Sequence, residues 1–125
     1  MDNQSYVLLL NETKPFTKKL YVTVCDGFFT KFRGLMFRKT LDHKEGILLT
    51  VTSDSVINSS IHMIFMNFNI AVIWLNSSLV VVDKTIARKG FRFYFPQKPS
   101  MYTLEIHPDR IEDFNIGDKV LMKNA

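Results

Sequence analysis

The sequence predicts a mostly β fold of the β-rich α+β kind, a compact, largely antiparallel, barrel-like sheet with one or two short helices. Three observations carry that expectation. Residues 61–86, IHMIFMNFNIAVIWLNSSLVVVDKTI, are the most apolar stretch and read as a strand, a tight turn and a second strand. β-Branched and aromatic residues recur in short runs, at a density that suits pleated, packed surfaces. Those runs lie too close together for a series of helical crossovers, which favours antiparallel pairing over a doubly wound sheet. With 125 residues, 46% hydrophobic and 22% charged, the chain suits a single domain over residues 1–125 whose core draws on eleven phenylalanines.

Taken in order, residues 6–10 are a short apolar run and a first strand. Pro15 and its polar neighbours turn the chain, and residues 20–24 form a second strand able to pair with the first. Asp26-Gly27 ends that strand, and Asp26 is placed to cap a short helix over residues 28–32, with Phe28, Phe29 and Phe32 at helical spacing. Residues 39–45 are polar and read as a loop; GILLTV at 46–51 is a strand; residues 52–60 are again polar and read as a loop. After the central hairpin, FRFYF at 91–95 is an extended aromatic segment and MYTLEI at 101–106 an alternating strand. PDRIEDF at 108–114 is a short helix with proline at its start, and residues 119–122 are a last strand.

The central hairpin turns on Asn76-Ser77-Ser78, residues whose side chains bond local backbone. In its first strand His62, Ile64, Met66, Phe68, Ile70, Val72 and Trp74 share one parity, and the other parity carries Asn67 and Asn69. That second face is expected to open or bend near residues 66–69. A transmembrane helix needs about 20 apolar residues, and Asn67, Asn69, Asn76, Ser77 and Ser78 interrupt this run at a high desolvation cost. No transmembrane segment is expected.

The net charge of +4 permits contact with nucleic acid or an anionic surface. A lone cysteine, Cys25, excludes an intrachain disulfide and points to a reducing, cytoplasmic setting. The N-terminus lacks a basic region followed by a long apolar core, so no signal peptide is expected, and the Asn-x-Ser/Thr triplets at Asn11, Asn58 and Asn76 read as chance.

Three stretches together resemble one family. RGLMFR at 33–38 is followed by EGILL; IHMIFMNFNIAVIWLN occupies 61–76; YTLEI at 102–106 is followed by IGDKV at 116–120. In order and spacing they resemble the bacterial and archaeal family known as domain of unknown function 192, over residues 20–122. The resemblance implies a compact β-rich domain with a short helix, no assigned reaction and no established active site. Where that family commonly has a basic residue, a proline and an aspartate, this chain has Asn67, Asn69 and Ala71. It resembles a divergent member, with any chemistry of that carboxylate lost.

Candidate sites each have a functional and a plainer reading. Arg33 and Arg38, with Lys31 close by, flank a glycine turn; guanidinium forks suit phosphate or carboxylate, and equally serve internal ion pairs. His62, Asn67 and Asn69 suit the mouth of a small-molecule pocket, or a hydrogen-bonded bulge. Lys84, Arg88, Lys89, Arg92, Tyr94 and Lys98 surround FRFYF, where base stacking and phosphate contacts suit single-stranded nucleic acid. Alternation in FRFYF argues instead that its phenylalanines face the core and Arg92 and Tyr94 face out, leaving a solvated basic edge.

His43, His62 and His107 are scattered and Cys25 has no ligand neighbour at metal spacing, so no metal and no cofactor is expected. No catalytic constellation stands out, and enzymatic activity is not favoured. The leading expectation is a binding module presenting Lys31, Arg33, Arg38, Arg88, Lys89 and Arg92 to an anionic partner, nucleic acid or an acidic protein. The alternatives are a small-molecule binder or weak enzyme at His62, Asn67 and Asn69, and a structural subunit of a larger assembly.

Overall fold

A computed structural model describes residues 4–26, 35 and 38–125. Along them run β1 (Gln4–Asn11), β2 (Leu20–Asp26), β3 (Glu45–Ser55), β4 (Ile61–His62), β5 (Ile70–Leu75), β6 (Val81–Ala87), β7 (Phe93–Tyr94) and β8 (Ser100–Ile106), then a 3-10 helix (Pro108–Asp113) and β9 (Val120–Asn124). Seven strands form one sheet in the order β6-β5-β8-β3-β2-β1-β9, and β4 pairs with β7 in a separate ribbon. Every neighbour in the large sheet is antiparallel except β2 and β3, which run parallel. The fold is therefore mostly β, and the sheet is mixed.

The expected barrel-like closure is not reached. The sheet curls until its two outer strands meet at one end only, through a single bridge between Val80 and Lys119. There the Val81 amide donates to the Asp118 carbonyl at 2.9 Å and the Gly117 amide to the Val81 carbonyl at 2.8 Å. Gly117 takes φ +98, a left-handed angle that glycine adopts without a Cβ penalty. Asp118, buried beside it, accepts from the Asn11 side chain at 2.8 Å and from the Asn115 amide at 2.9 Å. The IGDKV stretch thus ties the start of the chain to its end.

β5 explains the apolar centre. It has partners on both sides, β6 and β8, and all six of its residues are buried. Ala71, Ile73 and Leu75 pack on one face with Leu9, Leu48, Leu104 and Phe114, while Ile70, Val72 and Trp74 pack on the other with Met63, Met66 and Leu49. A strand covered on both faces reads as a continuous apolar run rather than an alternating one. Each fully buried large aliphatic or aromatic side chain contributes about 1.5–3 kcal/mol. Trp74 also donates its indole N–H to the Ser59 carbonyl at 2.9 Å, which the Thr103 hydroxyl joins at 3.0 Å.

Close approach fixes Gly46 in the EGILL stretch. A Cβ there would lie 2.8 Å from Ile106 Cγ2 and 3.0 Å from the Glu105 carbonyl oxygen.

Other expectations are corrected. The long strand expected from residue 61 to 75 breaks after His62 and resumes at Ile70. Met63 and Met66 are both buried, yet residues three apart in an extended chain point to opposite faces. The chain resolves the conflict with a turn closed by the Met66 amide on the Met63 carbonyl at 3.2 Å. β3 continues to Ser55 through residues expected to be loop, its polar end held where Asp54 accepts from the Ser77 amide at 2.9 Å and the Ser77 hydroxyl at 3.0 Å. The helix expected over residues 28–32 lies outside the described residues. The second expected helix is a 3-10 segment anchored by Arg110, which is buried beneath Phe16 and donates to the Lys18, Lys19 and His43 carbonyls and to Asp113.

Candidate functional site

The β4–β7 ribbon lies over the second core face and sorts its side chains by register. Ile61 pairs with Tyr94 and His62 with Phe93. Ile61 and Tyr94 belong to the core cluster beneath. Phe93, on the other parity, faces solvent with the His62 ring edge-on at 6.3 Å and Phe91 edge-on at 6.2 Å. The phenylalanines of FRFYF are accordingly out, not in: Phe91 is 81% exposed, Phe93 56% and Phe95 50%. Trp74, Met63 and Met66 already fill the space below, so Tyr94 and Pro96 take the inward positions.

Phe65 adds a fourth exposed ring at the corner of the turn between Met63 and Met66, and its φ is +66. A left-handed angle at a bulky residue costs about 1–3 kcal/mol. The Met63 amide donates to the Arg92 carbonyl at 2.9 Å, which joins this turn to the ribbon.

The preceding loop carries the cations. Its backbone is pinned where the Arg88 amide donates to the Tyr94 hydroxyl at 2.9 Å and the Lys89 amide to Asn69 Oδ1 at 2.8 Å. Gly90 turns the chain at φ +122. The side chains of Arg88, Lys89, Arg92 and Lys98 are exposed, and among the described residues none of them is in an ion pair. No aspartate or glutamate occurs between Asp83 and Glu105. Lys84 does not join them: its ammonium donates to the Ile111 and Phe114 carbonyls at 3.2 and 2.8 Å.

The other sequence candidates disperse. Lys31 and Arg33 lie outside the described residues. Arg38 pairs with Glu45 at 2.9 Å. Asn67 donates to the Arg38 carbonyl at 2.8 Å, Asn69 holds the Lys89 amide, and His62 Nδ1 accepts from the Ile64 amide at 3.2 Å.

One cluster gave no signal in the sequence. β3 and β8 pair with Gly46 opposite Ile106, so the residues just before β3 meet those just after β8. His43 and His107 stack there, ring centroids 3.7 Å apart, and His43 Nε2 donates to Asp109 Oδ2 at 2.9 Å. Burial, and then the His43 ring, push the His107 imidazole below its ordinary value. The hydrogen bond from His43 holds the Asp109 carboxyl below the usual carboxylate range.

Residues 9–122 match the model of a family described as "Uncharacterized ACR", domain of unknown function 192. A UPF0127 protein of Pyrococcus furiosus is 37% identical over 114 residues, covering 90% of this chain and 95% of the relative. A UPF0127 protein of Thermococcus kodakarensis is 40% identical over 98 residues, which span 78% of this chain but only 60% of the relative. Two solved structures share the fold at 16% identity. A candidate transcription regulator of Sinorhizobium meliloti superposes with a TM-score of 0.82, covering 97% of this chain and 95% of that one. A protein of unknown function from Novosphingobium aromaticivorans gives 0.78, covering 94% and 84%. No helix among the described residues is long and apolar enough to cross a membrane.

Proposed function

We propose, for a chain that belongs to the domain of unknown function 192 family, that it binds single-stranded nucleic acid through the β4–β7 ribbon and the loop before it. The observation that carries this reading is the exposure of Phe91, Phe93 and Phe95 within a segment that has Arg88, Lys89, Arg92 and Lys98 and no acid. Exposed rings stack on unpaired bases, each stack contributing about 1–3 kcal/mol whatever the base. The cations supply phosphate contacts and steer the strand toward the rings. A duplex hides its base faces, so it gains only the electrostatic part. The setting is the reducing cytoplasm, supported by a single cysteine that is buried.

The test is fluorescence anisotropy with a labelled single-stranded oligonucleotide and the matching duplex. The single strand binds more tightly, and log K falls with log[salt] by about 0.7 for each phosphate neutralised. Arg88→Ala with Lys89→Ala lowers both affinity and salt slope. No binding at low salt, or equal affinity for strand and duplex, refutes the reading.

A further inference from the structure

Away from the ribbon, a second site is built at the other end of the β3–β8 pair. We propose that His43, His107 and Asp109 bind a divalent transition metal of the zinc class. One donor atom from each lies within 4.8 Å of the others. His43 Nε2 is 2.9 Å, and His107 Nδ1 3.7 Å, from the same oxygen, Asp109 Oδ2. Tetrahedral zinc with ligands at about 2.0–2.2 Å sets its donors about 3.3 Å apart, so these separations bracket the required one. Two imidazoles and a carboxylate are a donor set that suits zinc, and with three protein ligands the remaining position is open to water.

The backbone that carries the ligands is already ordered. Arg110, next to Asp109 and 3% exposed, donates to the His43 carbonyl at 2.9 Å. That bond holds the loop before β3 against the helix, so the metal need not gather its ligands from mobile chain. His107 Nδ1 accepts from the Asp109 amide at 3.0 Å, so this nitrogen has its lone pair available. The amide is exposed and water replaces its bond when the ion takes that lone pair. At His43 the neutral ring changes tautomer: the proton that Nε2 now shares with Asp109 passes through water to Nδ1, and the freed Nε2 lone pair takes the ion.

One rearrangement is required. The two rings lie within 21° of parallel, whereas a shared ion must sit in the plane of both. The His43 side chain, 42% exposed, has room to tilt. Metal binding therefore unstacks the histidine pair, a signature that adventitious binding to surface carboxylates lacks.

The probe is metal alone, added to chelator-treated full-length protein. Co2+ is expected to bind one to one with visible d–d absorption and to be displaced by Zn2+. In imidazole NMR spectra, Zn2+ shifts the His43 and His107 signals and leaves those of His62 in place. H43Q and H107Q each lose about tenfold or more in Co2+ affinity, at least what the loss of an outer partner costs a metal site. Their far-UV circular dichroism stays unchanged, since His43 holds Arg110 through its backbone. The proposal fails if millimolar Zn2+ leaves the His43 and His107 signals unmoved, or if the H43Q/H107Q double variant binds Co2+ as the parent does.

Discussion

β5 and β7 are both short runs of large apolar residues, and the fold treats them in opposite ways. IAVIWL has a strand on each side and a packed cluster on each face, so all six side chains are buried. The FRFYF segment contributes two residues to a two-stranded ribbon with a single partner strand, and it turns its phenylalanines to water. Both segments have the composition of core. What separates them is the number of surfaces that the topology covers, one for β7 and two for β5.

The contrast is broken most severely at the centre. Trp74→Ala is expected to lower the free energy of unfolding by about 3–5 kcal/mol in urea denaturation, because it leaves a cavity and removes the indole bond to Ser59. Gly46→Ala comes next, at about 1–3 kcal/mol, since the added methyl meets Ile106 and the Glu105 carbonyl where the strands are closest. Smallest of all is Phe91→Ala, whose effect on stability stays within about 0.5 kcal/mol as for other exposed positions.

Local chemistry made much of the scaffold legible. The alternation of MYTLEI marks β8, the Asn76-Ser77-Ser78 turn marks the β5–β6 hairpin, and Asn67 with Asn69 marks the place where the expected long strand gives way. Asn76 performs the turn by accepting from the Ser78 and Val80 amides at 3.0 and 3.1 Å. Alternation also grouped Phe91, Phe93 and Phe95 correctly on one face. The expectation that this face turns to the core was wrong, because which face is covered depends on Trp74 and the two methionines, distant in sequence, filling the space first. The polar end of β3 was read as loop because its pairing to Ser100 depends on a register shift that no local pattern announces. The meeting of His43 with His107 was invisible for the same reason: it follows from the β3–β8 register and from Arg110, not from spacing.

The most direct measurement is the affinity of the F91A/F93A double variant for a single-stranded oligonucleotide, taken on protein whose urea midpoint has been checked. The account predicts an unchanged midpoint and an affinity lower by about fivefold or more for each ring lost. An unchanged affinity would contradict it, and so would a midpoint that falls as far as that of Trp74→Ala, which would return these rings to the core.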